Sequence, residues 1–203
     1  MPVPYTRIAT AHIVDADLRG LFERANDYLA DVYSMLSSRP LKRTKGGGCN
    51  LTATLVLLCI VDALATHVWP KTPATGKGAQ GIRFKHLVID KLPWGPASAG
   101  WMDKNDAAEL LYLECRNTLT HELGRDRARS FVKLGFVEPT VGVWGNVRPK
   151  NRIGTVDART SWPDKWPIVS VLTDSRGTRY KVTVVALYWA VKAMVRSMSA
   201  ACA

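Results

Sequence analysis

Apolar and polar positions follow a helical period along the first part of the chain, between residues 15 and 37. Apolar side chains recur there three and four positions apart, as on the buried face of an amphipathic helix. These apolar positions are Leu18, Leu21, Phe22, Ala25, Leu29, Val32, Tyr33 and Leu36. Charged residues such as Arg19 and Glu23 fall on the opposite face. The pattern predicts a long first helix that buries one side.

A second stretch, residues 50–67, is apolar on nearly every face. Such a pattern predicts a helix that lies in the middle of a bundle, and Asn50 is suited to cap its start. Asp62 carries the one acidic side chain of this stretch. Because a buried carboxylate requires a partner, we expect a Lys or Arg from a neighbouring helix beside Asp62, in preference to a catalytic role.

Three further helices and one β-hairpin complete the predicted elements. The five helices span residues of about 15–37, 50–67, 83–92, 103–124 and 184–199. Val, Ile, Thr and Tyr residues flank the sequence AspSerArgGly at residues 174–177, where the glycine suits a tight turn. This hairpin belongs to a β-rich insertion at about residues 130–183. The prediction is a mainly α fold, a bundle of four to five helices with a small β-hairpin insertion before the last helix.

Length and composition indicate a single domain over residues 1–203. Hydrophobic residues make up 47% of the chain, as in ordinary globular proteins, so disorder is not expected. The most apolar run, at residues 55–61, is far shorter than the ~20 residues that span a bilayer, so we expect no membrane span. The start of the chain lacks the pattern of a signal peptide. The four cysteines lack metal-ligand spacing, and we expect reduced thiols, no metal, no cofactor and a cytoplasmic location.

The chain is strongly basic, with 28 Lys and Arg residues against 17 Asp and Glu residues. A formal charge of +11 favours a polyanionic partner, either nucleic acid or an acidic membrane surface, and does not by itself choose between them. Part of this charge lies at residues 39–48, where four basic residues accompany a proline and three glycines. A solvated connector is favoured there over a dedicated phosphate contact, because the Lys and Ser that complete a phosphate-binding loop are missing.

Two familiar motifs occur in this sequence without their usual context. Residues 76–81, GlyLysGlyAlaGlnGly, match the spacing GxGxxG, but no strand precedes them, so we interpret them as a loop. HisGluLeuGlyArg at residues 121–125 has arginine where a zinc peptidase requires its second histidine. Cys115 lacks the surroundings of a nucleophile and is expected in the core.

The predicted helix at residues 103–124, called here the signature helix, carries an unusual group of polar side chains. Asp103, Asn105 or Asp106 can cap its start, and Gly124 suits its end. Its second half contains Arg116, Asn117 and His121 within six consecutive residues. A guanidinium, an amide and an imidazole in an otherwise apolar helix require either a packing explanation or a chemical one.

The segment ArgAsnThrLeuThrHis, residues 116–121, resembles the Arg-x(4–6)-His signature of HEPN domains, in which a polar residue usually follows the arginine. The order of the predicted helices is also similar to that of this family. The resemblance implies a helical bundle that forms a homodimer, with the two signatures meeting at the two-fold axis. Many HEPN members are metal-independent ribonucleases, and toxins and defence effectors are common among them. The resemblance therefore implies RNA as substrate and an antitoxin or regulatory protein as a further partner.

On an ideal α-helix, the two main candidates for catalytic residues, Arg116 and His121, point in different directions. At 100° per residue, Arg116 lies about 140° from His121, whereas Glu114 and Asn117 lie within about 40° of His121 and share a stripe with Leu110. One α-helix therefore cannot point both groups at a single phosphate. Either a second copy of the chain or the long arginine stem has to close the gap, and a symmetric dimer does so directly.

The residue types suit RNA cleavage by attack of the 2′-hydroxyl on the adjacent phosphorus. His121 can transfer protons near neutral pH, and Arg116 offers a planar fork to phosphate oxygens. Asn117 would fix the imidazole or the phosphate. Arg125, Arg127 and Arg129 follow the helix and would bind flanking phosphates as RNA-binding residues.

Each candidate also has a purely structural explanation. His121 can pair with Glu114 or a carbonyl, Asn117 can be a buried amide, and Arg116 can form an ion pair with Asp62. Taken singly, these explanations are the simpler ones, whereas the spacing, the charge and the helix order together favour a catalytic site. The alternative that stays open is a non-catalytic HEPN-like protein that binds nucleotides or RNA or acts as a scaffold.

Overall fold

The computed structural model describes residues 5–37, 50–68, 76, 78–95, 102–117, 132–135, 168–174 and 177–202. The helices in these ranges are α1 (Ala16–Ser37), α2 (Asn50–His67), α3 (Ala79–Lys91), α4 (Lys104–Leu110), the π-helix Leu111–Asn117 that directly follows α4, and α5 (Val184–Ala200). The strands are β1 (Val132–Gly135), β2 (Val169–Asp174) and β3 (Gly177–Thr183). The described fold is mainly helical with a small β-hairpin, as the sequence predicts.

The core forms where α1, α2, α3 and α5 pack together. Helix α2 contacts α1, α3, α5 and the π-helix, which confirms its predicted central position. Leu57 and Leu64 of α2, Phe22 of α1 and Leu187 of α5 are all fully buried. These side chains come from the apolar positions that define each helix in the sequence, so burial of apolar area is the main force that holds the bundle. No helix of the described ranges is long and apolar enough to cross a membrane.

Helix α3 begins earlier than the sequence predicts. The expected start was residue 83, but the helix starts at Ala79, so residues 79–81 of the GxGxxG segment are helical and their assignment to a loop is wrong. Gly76 and Gly78 have φ values of 88° and 90°. This left-handed conformation is readily adopted by glycine and is strained for residues with a Cβ atom. The chain therefore turns at two glycines directly before the helix.

The signature helix is not a continuous α-helix. Asp103 is its N-cap, as predicted, and its carboxylate accepts a hydrogen bond of 2.8 Å from the backbone N–H of Asn105. After Leu110 the chain continues as a π-helix, with i to i+5 hydrogen bonds, up to Asn117. Residues 118–124, including the expected end at Gly124, lie outside the described ranges.

A three-stranded sheet precedes α5, with β3 between β1 and β2. Strands β2 and β3 pair antiparallel, with Val169 opposite Val182, which confirms the predicted hairpin. Strand β1 pairs with β3 in parallel, a contact that local sequence patterns do not reveal. The backbone N–H of Met102 donates to the carbonyl of Val169 over 3.3 Å, so the sheet is tied to the start of α4.

Candidate functional site

Two of the predicted catalytic residues, Arg116 and Asn117, lie at the end of the π-helix. The third, His121, lies outside the described residues, as do the predicted RNA-binding residues Arg125, Arg127 and Arg129. The structure therefore shows the arginine half of the predicted site and its surroundings. π-Helical turns are rare in proteins and occur frequently at functional sites.

Among the described residues, Asp62, Asn117 and Tyr112 contact the guanidinium of Arg116. Its Nη2 donates to Oδ2 of Asp62 over 2.9 Å, and its Nη1 donates to Oδ1 of Asn117 over 3.0 Å. The central carbon of the guanidinium lies 5.7 Å from the centroid of the Tyr112 ring, within the range of a cation–π interaction. The side chain of Arg116 is 15% exposed, so most of it is covered while an edge still reaches solvent.

Asp62 is the partner of this arginine, which confirms the prediction that a basic residue pairs with Asp62 and also the ion pair that the structural explanation of Arg116 named. Gln80, in the first turn of α3, donates a second hydrogen bond to Oδ2 of Asp62 over 2.6 Å. The other carboxylate oxygen, Oδ1, is buried and has no hydrogen-bond partner among the described residues. A buried acceptor without a donor costs about 1–3 kcal/mol, so this ion pair is incompletely satisfied.

Helix α3 closely approaches the π-helix at Gly81, the residue that follows Gln80. A Cβ atom at Gly81 would lie 2.7 Å from the ring of Tyr112, a distance that real Cβ atoms do not show. The Tyr112 ring also packs against Phe84 of α3, with ring centroids 5.3 Å apart. Only glycine at position 81 permits this packing without a shift of the ring.

The role of Gln80 was missed in the sequence. It lies 18 residues from Asp62 within the GxGxxG segment, and no local pattern connects the two. The glycine at position 81 was visible, but its contact with Tyr112 depends on the tertiary packing of two helices.

The π-helix also changes the geometry on which the sequence argument relied. Of the residues predicted to share a stripe with His121, Leu110 is buried, Glu114 is exposed and Asn117 is partly buried. An angle of 100° per residue applies to an α-helix, whereas residues 111–117 form a wider helix. The calculated separation of Arg116 and His121 therefore starts from the wrong type of helix.

Two cysteines flank the site, and neither is activated. Burial raises the pKa of the Cys115 thiol to about 12, and Cys115 is 1% exposed, in agreement with its predicted place in the core. Cys59 lies on α2 one turn before Asp62. Partial burial raises the pKa of the Cys59 thiol, and the negative charge of Asp62 raises it further. Raised pKa values oppose formation of the thiolate, the reactive form.

Most of the net charge of the chain lies outside the described ranges. The described residues carry 13 Lys and Arg against 12 Asp and Glu, whereas the remaining residues carry 15 against 5. The described part of the chain is therefore nearly neutral. Attraction of a polyanion would come mainly from the other segments, which include the three arginines that follow the signature.

No protein-family model, no curated protein and no solved structure matches this chain. The function of the site therefore has to be argued from its own residues.

Proposed function

We propose that this protein is a HEPN-like endoribonuclease that cleaves RNA without a metal ion. The observation that carries the proposal is Arg116 at the end of a π-helix, with its guanidinium bonded to Asn117 and its side chain 15% exposed. The order ArgAsnThrLeuThrHis at residues 116–121, the helical bundle and the charge of +11 support it. The same reasoning makes RNA the substrate and assigns flanking phosphates to Arg125, Arg127 and Arg129.

The proposed reaction joins the ribose 2′-oxygen to the adjacent phosphorus and breaks the bond from phosphorus to the 5′-oxygen. His121 takes the proton of the 2′-hydroxyl or gives one to the leaving 5′-oxygen. Arg116 stabilises the negative charge that develops on the phosphoryl oxygens. Asn117 supports Arg116 through the bond to its Nη1. The products are a 2′,3′-cyclic phosphate and a 5′-hydroxyl.

The proposed active form is a homodimer in which each site combines groups from both chains. A two-fold interface brings a residue of one chain close to a different residue of its partner, so Arg116 and His121 need not share one helix face. The resemblance to HEPN toxins adds a setting in toxin–antitoxin or defence systems of the cytoplasm, with an antitoxin as regulatory partner.

The test is cleavage of single-stranded RNA in the presence of a chelator. We expect the full chain to cut the RNA and His121→Ala to lower the rate by about 100-fold or more, because a general acid or base contributes that much. The matched control is His86→Ala, which removes an exposed histidine of α3 and is expected to keep full activity.

The thermal stability of His121→Ala should match that of the unmodified chain. Products with 5′-phosphates, or full activity of His121→Ala, would contradict the proposed mechanism.

A non-catalytic scaffold or RNA-binding protein is the second candidate, and the contact between Arg116 and Asp62 favours it. Both side chains are 15% exposed, and an ion pair so covered can serve packing alone. In that case the chain does not cut RNA under any condition of the assay, and Arg116→Gln lowers the thermal stability of the protein.

A further inference from the structure

Four side chains from three elements form a connected chain of hydrogen bonds around Arg116. Gln80 of α3 donates to Asp62 of α2, Arg116 of the π-helix donates to the same carboxylate, and Arg116 also donates to Asn117. Two donors therefore converge on Oδ2 of Asp62, at 2.6 Å and 2.9 Å. A carboxylate held from two directions cannot rotate freely, and it fixes the guanidinium bound to it.

We infer that Asp62 is the positioning residue of Arg116 and that Gln80 holds Asp62 in place. The inference rests on the proposed function, because it assigns these residues to the site that binds the RNA phosphate. Arginine has a long and flexible side chain, so fixing its guanidinium before the substrate arrives removes an entropic cost from the reaction. A charge-assisted hydrogen bond is strong enough to hold it.

The ion pair is incompletely satisfied, so its contribution to stability is limited. Arginine–carboxylate pairs are frequently bidentate, with two parallel hydrogen bonds. Here Nη2 of Arg116 contacts Oδ2 of Asp62, and Oδ1 of Asp62 stays buried without a partner among the described residues. The arrangement leaves part of the ion pair unsatisfied while it sets the direction of the Arg116 fork. Tyr112 covers the guanidinium and limits its movement further.

The opposite interpretation of this contact is that Asp62 competes with the RNA phosphate for Arg116. If Asp62 held Arg116 away from the phosphate, its loss would free the cation and increase both binding and cleavage of RNA. The two interpretations predict changes of opposite sign, so one variant separates them.

The experiment measures kcat and KM for single-stranded RNA with Asp62→Asn, which keeps the size of the side chain and removes its charge. We expect kcat to fall by about 10- to 100-fold with KM within about twofold, because a misplaced group costs transition-state stabilisation and leaves uniform binding unchanged. The matched control is Asp90→Asn, which removes an exposed carboxylate of α3 and should leave both constants unchanged.

A second variant covers the case in which Asp62→Asn fails to fold. Gln80→Ala changes an exposed residue and removes only the bond that holds Asp62, so we expect kcat to fall by about fivefold, the equivalent of one hydrogen bond. The Nε–H signal of Arg116 in nitrogen-15 NMR spectra should also exchange faster with solvent in both variants, because the guanidinium is less restrained.

The experiment gives a different result for the failure of each proposal. If the unmodified chain does not cut RNA, the proposed function fails. If it cuts RNA and both variants cut it equally well, only the positioning role is overturned. A higher kcat and tighter RNA binding in Asp62→Asn would show that Asp62 competes with the phosphate.

Discussion

At the scale of single residues, the ion pair of Asp62 and Arg116 is the main feature of the described site. A carboxylate in the middle of an apolar helix requires a cation, and this rule alone predicts the type of partner. The rule alone does not select one of the 28 Lys and Arg residues, and the pair with Arg116, 54 positions further along the chain, was predicted only as the structural explanation of that arginine. The contact of Gln80 with Asp62 was not predicted, because no local pattern connects the two residues.

Burial of two titratable side chains gives a prediction about pH. Burial raises the pKa of Cys115 from 9.0 to about 12 and the pKa of Tyr5 from 10.0 to about 12. In the unfolded chain both groups lose their protons at their ordinary pKa values. The protonated forms therefore stabilise the folded state fully below pH 9, and this contribution is lost as the pH rises towards 12.

We expect the melting temperature to fall steadily above pH 9, and to fall less steeply for Cys115→Ala. Thermal unfolding followed by circular dichroism at a series of pH values measures both slopes. If the melting temperatures of Cys115→Ala and the unmodified chain fall equally steeply with pH, burial does not raise the pKa of Cys115 as stated.

At the scale of secondary structure, hydrophobic periodicity predicted the helices but not how the signature helix ends. Helix α2 has its predicted bounds, and α1 and α5 differ from theirs by a single residue. These helices have long and regular apolar patterns. The π-helix was not predicted, because its residues fit an α-helical pattern equally well. In the structure it contacts α2 and α3.

The close contact between α3 and the π-helix predicts the effect of a small substitution. In Gly81→Ala the new methyl group meets the Tyr112 ring at 2.7 Å, so the ring or a helix has to move. We expect the free energy of unfolding to fall by about 1–3 kcal/mol, the usual cost of overpacking. Urea denaturation measures this change.

The control is Gly20→Ala in α1, where the nearest side-chain atom, Nη1 of Arg24, lies 3.6 Å from the new Cβ. Alanine at a helical position with room for it should raise stability by about 0.5–1 kcal/mol. Equal stability of Gly81→Ala and the unmodified chain would show that the ring is free to move away.

At the scale of the whole molecule, the described residues form a nearly neutral helical bundle, and most of the positive charge lies in other segments. The bundle, the hairpin and the central place of α2 were predictable from composition and periodicity. The arrangement of Arg116 relative to His121 stays a prediction, since His121 lies outside the described residues and a dimer depends on a second chain. The central proposal is that Arg116 and His121 act together across a pair of chains.

Mixing two inactive variants tests this claim most directly. Arg116→Gln and His121→Ala, unfolded together and refolded as a mixture, form mixed dimers in which one site contains both unmodified residues. We expect about a quarter of the original RNA cleavage to return, since half of the dimers are mixed and each has one intact site.

The control mixture pairs Arg116→Gln with a chain that carries both substitutions, and it contains no intact site. Recovery in the first mixture with none in the control is the result that the shared site predicts. Two mixtures that are equally inactive, from variants that refold and an unmodified chain that cuts RNA, would contradict it.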